Sequence, residues 1–144
     1  MKKISFLILA FLIANSTILL SQTNIKNAQI EYTANTRGFY QKIWINNQMI
    51  AISNDRNDTI MPASTKIALK DWKFLTAEFK KIKLAKLSKL KPPTSKRQYD
   101  GAAIADLKII QNGKTYQTES FDNGYPNIKI KKFVDKITSL AKKE

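Results

Sequence analysis

Residues 102–121 decide how this chain folds, and they read AAIADLKIIQNGKTYQTESF. Polar and apolar residues alternate before the pair Asn112-Gly113, with Ala105, Leu107 and Ile109 on one side, and the alternation resumes after it. A period of two is typical of a half-buried strand. Asn-Gly favours a tight hairpin turn, because such a turn needs positive φ at both central residues. The stretch therefore predicts an antiparallel β-hairpin.

A similar pattern precedes it in the chain. Residues 28–33 alternate as one strand, and residues 39–53 hold two runs that are rich in aromatic and β-branched side chains, which favour strands. Asn46-Asn47 separates these two runs, and we predict the turn of a second hairpin there.

Helical spacing begins near Leu69. At 100° per residue, five apolar side chains share an arc of roughly 140° and are expected to dock on the sheet. We expect this helix to end at about Lys83, before a short extra turn or an extended segment that contains Leu84, Leu87 and Leu90. The five side chains are Leu69, Trp72, Leu75, Phe79 and Ile82.

A last helix is predicted after Asn127, which is a suitable N-cap. Its apolar positions are Ile130, Phe133, Val134, Ile137, Leu140 and Ala141. The element order β-ββ-α-ββ-α predicts the α+β class, with a single antiparallel sheet of about five strands and two amphipathic helices on one face. We expect one such domain over residues 22–144.

The first residues predict export. Lys2 and Lys3 precede an apolar run over residues 4–13, which continues weakly to Leu20 before a polar stretch opens at Ser21. This is the layout of a secretory signal peptide, which we assign to residues 1–21. The expected location is the bacterial periplasm or the outside of the cell, and an uncleaved N-terminal membrane anchor is the alternative.

The composition excludes several chemistries. The 144 residues contain no Cys and no His. This rules out disulfides, thiol nucleophiles, imidazole catalysis and zinc sites of the usual kind. We expect no metal, no cofactor and no enzymatic activity, although carboxylates, Lys, Tyr and Ser are left as possible catalytic groups.

The formal net charge of +14 predicts an anionic partner. Eleven of the basic residues lie between Lys66 and Arg97, where the acids are Asp71 and Glu78. A solvated helix face is the alternative. Lysine far outnumbers arginine, which favours diffuse attraction over bidentate phosphate recognition, and nucleic acid is disfavoured because neither a motif nor a stacking platform is present. The candidate contact residues are Lys80, Lys83, Lys86, Lys89 and Arg97.

Two further groups of residues are candidates. If the rings of Tyr40 and Trp44 lie on the solvent side of their strand, they form an aromatic binding surface together with Arg37. If the sheet is covered on that side, they belong to the core. Two loops flank the second hairpin at the end opposite its turn, so we expect them to converge on one rim. This rim is either a pocket for a small ligand or cation, or a set of ordinary turn residues. The rim residues are Tyr99, Asp100, Asp122 and Tyr125.

Short motifs occur in a defined order, namely Arg37-Gly38-Phe39-Tyr40, Asp71-Trp72 and residues 91–103, 113–116 and 120–124. In these motifs the chain resembles a group of small exported bacterial proteins of unknown function. The resemblance covers residues 28–142 and is most specific at residues 99–103. It implies export and a single domain, and it transfers no catalytic residue.

These observations together predict a non-enzymatic binding domain of the bacterial envelope, which acts through an exposed sheet face or the lysine-rich helix and loop. The expected partner is an envelope protein or an anionic envelope component. Two alternatives stay open. One is an enzyme that uses Asp100 and Asp122 as an acid–base pair. The other is a basic protein that associates with an anionic membrane surface.

Overall fold

The computed structural model describes residues 24–58 and 60–142, and the predicted signal segment at residues 1–21 lies outside them. The strands are β1 (Ala28–Thr36), β2 (Phe39–Asn46), β3 (Met49–Ser53), β4 (Thr65–Lys66), β5 (Ile104–Gln111), β6 (Lys114–Gln117) and β7 (Phe121–Asp122). The α-helices are α1 (Leu69–Phe79) and α2 (Ile128–Leu140), and short 3-10 helices cover Ile25–Asn27, Leu84–Lys89 and Lys96–Tyr99.

The strands form one antiparallel sheet in the order β4-β3-β2-β1-β5-β6, and β7 also pairs with β5. The predicted α+β class is confirmed. Across the described residues the sheet has seven strands, whereas about five were expected. The difference arises because β4 and β7 each have two residues, which is too short for a period-two pattern to show.

The core lies between the helices and one face of the sheet. β1 runs through its centre, and Tyr32 pairs with Ile43 of β2 and with Leu107 of β5. All three are fully buried, as are Phe79 of α1 and, at 1 % exposure, Phe133 of α2. The Phe79 and Phe133 rings lie 5.7 Å apart between centroids. Both helices therefore cover the same face, as the alternation and helical spacing predict.

Tyr32 places a fully buried phenol in the core. Its hydroxyl donates a hydrogen bond of 2.6 Å to Asn123 Oδ1. Burial, helped by the negative charges of Asp106 and Asp135, raises the pKa of Tyr32 above its usual range. The phenol is therefore a neutral structural donor that ties the central strand to the turn after β7.

The first hairpin turn lies one residue beyond its predicted place. Asn46 pairs with Met49, so the turn consists of Asn47 and Gln48, at φ 45° and 66°. Positive φ is unusual for glutamine. Here Gln48 is held by Ile67, whose backbone N–H donates to the Gln48 carbonyl (2.8 Å) and whose carbonyl accepts from Gln48 Nε2 (2.9 Å). A contact 19 residues away thus selects the turn.

Helix α1 ends at Phe79, four residues before the predicted end. The Lys81 and Ile82 N–H groups donate to the Glu78 and Phe79 carbonyls, three residues back, which tightens the last turn. Four of the five predicted docking residues are buried, but Leu69 is 60 % exposed, and Ile67 just before the helix is buried instead. Within the described residues, neither helix is long and apolar enough to cross a bilayer.

The predicted Asn112-Gly113 turn is confirmed, at φ 52° and 72°, and it supports a stability test. Gly113→Ala should destabilise the fold by about 1 kcal/mol, because a Cβ disfavours positive φ. Packing adds nothing to this cost, since no heavy atom lies within 4 Å of the added Cβ. Equilibrium urea unfolding measures the difference.

Gly38→Ala is the matched control. Its Cβ would also meet nothing within 4 Å, but Gly38 lies outside the positive-φ region. We expect a change within about 0.5 kcal/mol for this variant. Equal destabilisation by the two substitutions would contradict the conformational account of the Gly113 turn.

Candidate functional site

A cavity of about 280 Å³ opens between the segment that follows α1 and the first turn of α2. We call it the lysine pocket. Ile82 and Ile130 are 5 % and 2 % exposed and form an apolar floor, while lysine side chains form the rim. The lining residues are Lys81, Ile82, Lys83, Lys86, Leu90, Lys129 and Ile130.

The rim follows from a change of helical repeat. Leu84 and Leu87, three residues apart, are both buried by the 3-10 helix Leu84–Lys89. A 3-10 helix has three residues per turn, so side chains three apart lie in one row. Lys83 precedes this helix, and the Lys86 N–H donates to the Lys83 carbonyl (2.9 Å), so the two lysines lie close together, and both are exposed. These lysines break the α-helical pattern because the segment is not α-helical.

The rim is largely uncompensated in charge. Lys81 forms an ion pair of 2.5 Å with Glu78. In the described part of the chain, no ion pair joins Lys83, Lys86 or Lys129 to an acid. The first turn of α2 also contains no acidic residue. The pocket therefore combines positive potential with an apolar base.

Of the four lysines predicted in this region, Lys83 and Lys86 line the pocket. Together with Lys80 they also line an adjoining open depression of about 480 Å³ that reaches Gln111 and Tyr116. Lys89 is exposed on the same 3-10 helix but lines neither cavity. The structure thus brings together three of the four.

Asp122 is an anchor inside the fold. It is completely buried, and its carboxylate accepts hydrogen bonds from the backbone N–H groups of Lys96 (2.8 Å) and Arg97 (2.9 Å). The Arg97 guanidinium adds an ion pair at 3.1 Å. Asp122 thereby fixes the 3-10 helix Lys96–Tyr99 against β7.

The pKa of Asp122 is set by opposing effects. Burial alone would raise it, but the nearby Thr94 hydroxyl, the two backbone N–H groups and the Arg97 guanidinium outweigh burial and hold this pKa well below its usual range. The Thr94 hydroxyl favours the ionised form of Asp122, although it forms no hydrogen bond of standard geometry to that carboxylate. The carboxylate is therefore ionised in the folded protein, with its oxygens already engaged.

The predicted rim of four residues is divided by the fold. Tyr99 and Tyr125 are 71 % and 52 % exposed, and Lys96 Nζ lies 5.8 Å from the Tyr125 ring centroid. Asp122 is buried, whereas Asp100 is exposed, at φ 59°. The tyrosines and Asp100 are thus available to solvent, and Asp122 is not.

Asp100 borders a second cavity of about 260 Å³, which we call the arginine depression. It lies where β1 ends and β5 begins, since Asn35 pairs with Ile104. Arg37 and Arg97 were predicted to belong to other surfaces, and Arg56 was not among the predicted site residues. The residues that line the arginine depression are Asn35, Thr36, Arg37, Arg56, Arg97, Asp100, Ala102 and Ile104.

Tyr40 and Trp44 are half-buried and lie on the sheet face opposite the helices, outside the core between the sheet and the helices. Trp44 pairs with Glu31, and both alternate with buried neighbours. Lys42 Nζ lies 4.7 Å from the Trp44 ring centroid and 3.5 Å from Glu31. Trp44 borders a depression of about 350 Å³ that does not include Arg37. We call this surface the open sheet face.

Within the described ranges, no group of three or more His, Cys, Asp or Glu side chains could hold a metal ion. Comparisons with protein-family models, with curated proteins and with solved structures each give no match. The resemblance to small exported proteins stays a prediction.

The role of Asp122 predicts a pH dependence. Its pKa is lower in the folded than in the unfolded chain, so its stabilisation is present above the unfolded value of about 3.9 and is lost as the pH falls below it. Asp122→Asn should lower Tm at pH 7, by roughly 5 °C or more, and should weaken the dependence of Tm on pH below about 4. Calorimetry between pH 2.5 and 7 measures both effects.

Asp100→Asn is the control, since this neighbouring carboxylate is exposed. Asp106 contributes with the opposite sign, because burial raises its pKa despite a hydrogen bond from Gln117. That contribution is common to all three proteins and cancels in the comparison. An acid limb of the same slope in Asp122→Asn and in the unsubstituted protein would refute the anchor role.

Proposed function

We propose that this chain is an exported, non-enzymatic binding domain that engages the phosphate-bearing head groups of anionic envelope lipids through the lysine pocket. Export is supported by the signal-like pattern of residues 1–21. The proposed location is the bacterial periplasm or the cell exterior. The chemistry is supported by the pocket itself.

One observation carries the proposal: Lys83, Lys86 and Lys129 surround an apolar floor and have no acidic partner in the described part of the chain. Like charges that share one rim repel each other, and an anion placed between them relieves that repulsion. Each lysine near an anionic membrane surface contributes about 1 kcal/mol of attraction. Three such groups favour an anionic ligand over a neutral one.

The apolar floor favours a lipid over a simple anion. Ile82, Leu90 and Ile130 lie at its base. Lysine stems are themselves apolar and commonly lie along hydrophobic surface while the ammonium group contacts phosphate. A head group with its adjoining hydrocarbon matches both parts of the pocket, because the phosphate meets the rim and the hydrocarbon meets the floor.

The alternative of a carboxylate enzyme has less support. Acid–base catalysis needs a group that exchanges a proton near working pH. The Asp122 carboxylate is buried and accepts three hydrogen bonds from Lys96 and Arg97. Its partner in that hypothesis, Asp100, faces solvent, so the two carboxylates do not share one accessible surface.

A second candidate is protein binding by the open sheet face. Trp44, Met49 and Met61 border its depression, and aromatic and methionine side chains are common at protein interfaces. This face shares no residue with the lysine pocket. Substitution of Trp44 therefore separates the two candidates.

Vesicle sedimentation tests the proposal. The protein should bind phosphatidylglycerol vesicles at 50 mM salt, should release them at 500 mM because salt screens the attraction, and should not bind phosphatidylcholine vesicles. Replacing Lys83, Lys86 and Lys129 by Gln should weaken binding by at least about tenfold, given roughly 1 kcal/mol per lysine.

The matched control replaces Lys26, Lys114 and Lys132 by Gln, which removes the same charge from three exposed positions that do not line the lysine pocket. This variant and Trp44→Ala should each bind within about twofold of the unsubstituted protein. Equal losses in the two triple variants would show that net charge alone acts. A loss confined to Trp44→Ala would assign the membrane contact to the open sheet face.

A further inference from the structure

The arginine depression gathers an uncommon residue type. The chain has three arginines among its 25 basic residues, and all three line this cavity, although they lie at positions 37, 56 and 97. No lysine from the described part of the chain lines it. Guanidinium groups differ from ammonium groups because their planar donors form paired hydrogen bonds to an oxyanion. The cavity therefore has a specific donor chemistry.

Two of the guanidinium groups are already held in place. Arg56 Nη2 donates to Asn35 Oδ1 (2.7 Å) and to the Thr36 carbonyl (2.5 Å). Arg97 donates from Nη1 to the Thr94 carbonyl (2.7 Å) and to Asp122, and from Nε to Ser120 Oγ (3.3 Å). Fixed donors lose little freedom when a ligand binds.

Donor atoms are left over on all three side chains. Nε and Nη1 of Arg56 and Nη2 of Arg97 make no hydrogen bond within residues 24–58 and 60–142. Arg37 is exposed in the turn between β1 and β2 and makes none to described residues either. The surplus donors come from three separate segments that converge on one cavity.

The carboxylates near this cavity also bear on which ligand it could bind. Asp122 forms an ion pair with Arg97, and its carboxylate also accepts hydrogen bonds from the backbone N–H groups of Lys96 and Arg97. Asp100 lies on the lining, and it is the acceptor that a ligand hydroxyl would meet there. Asp55 and Asp58 are in the loop of Arg56, where they accept from Asn57 N and Ser53 Oγ. Directional donors, more than net charge, characterise this cavity.

We propose that the arginine depression binds the phosphoryl group of a small hydroxylated ligand, a sugar phosphate being the simplest example. The phosphoryl oxygens would accept from Arg37, Arg56 and Arg97, and a hydroxyl of the ligand would donate to Asp100. A cavity of about 260 Å³ is large enough for the phosphoryl group and the adjoining hydroxyl of such a ligand. This site is independent of the proposed lipid function, because the two cavities share no residue.

Titration calorimetry with glucose 6-phosphate, inorganic phosphate and glucose tests the proposal. Glucose 6-phosphate should bind most tightly, inorganic phosphate more weakly and glucose not measurably at 10 mM. Arg37→Lys keeps the charge and removes the paired donors, so it should weaken glucose 6-phosphate binding by at least about tenfold. Arg37 makes no bond to described residues, so this variant should fold normally.

Asp100→Asn should weaken glucose 6-phosphate binding but leave inorganic phosphate unchanged or tighter. The variant without Lys83, Lys86 and Lys129 should bind both probes as the unsubstituted protein does. No binding of either phosphate at 10 mM would overturn the proposal, as would equal binding by Arg37→Lys. Loss of glucose 6-phosphate and phosphate binding in the triple lysine variant would assign these ligands to the lysine pocket and would also overturn the proposal. The vesicle assay tests the lipid proposal independently of this result.

Discussion

The buried carboxylate of Asp122 is the interaction that holds the crossover between α1 and β5, the segment that contributes lining residues to both cavities. It holds the 3-10 helix Lys96–Tyr99 through two backbone N–H groups and one guanidinium. The same segment places Arg97 in the arginine depression. Upstream, the Lys91 carbonyl accepts from Asn127 Nδ2, and the Asn127 Oδ1 caps α2 through the Lys129 N–H. The crossover between α1 and β5 is therefore held at two places by polar bonds, at Lys91 and at Lys96–Arg97.

These polar bonds compensate for a crossover that contains little regular structure. Residues 90–103 include one short 3-10 helix and no strand. A segment of this kind has few backbone hydrogen bonds of its own, so its conformation depends on side-chain partners. Because the partners are a buried acid and a helix cap, the positions of Arg97 and Lys129 are coupled to the stability of the fold.

The periodic parts of this structure were predictable and the tertiary parts were not. Alternation and the Asn112-Gly113 pair predicted the second hairpin, and Asn127 predicted the start of α2, because each signal acts over a few residues. The turn at Asn47 and Gln48 depends on Ile67, which no local pattern reveals. The burial of Asp122 was equally hidden, since an Asp-Asn-Gly sequence also suits an exposed turn.

The candidate sites show the same division. Lys83 and Lys86 lie close together in sequence, so their surface was predictable, whereas Lys129 was missed because only the fold brings it beside them. The arginines are 19 and 41 residues apart in sequence. Their scarcity suggested that paired phosphate recognition was disfavoured, whereas the fold collects all three around one cavity. Count and position along the chain do not measure proximity in space.

The edges of the sheet explain why binding is better assigned to cavities than to strand pairing. An exposed strand edge invites a further strand, and short or interrupted edges prevent this. One edge strand, β4, has two residues. On the other edge, residues 118–120 interrupt β6 and β7, and there the Thr118 hydroxyl accepts from the Leu107 N–H (3.1 Å), a bond that a backbone carbonyl makes in a regular ladder. Because both edge strands of the described sheet are short or interrupted, we expect ligands and partners to be recognised by side chains and not by strand pairing.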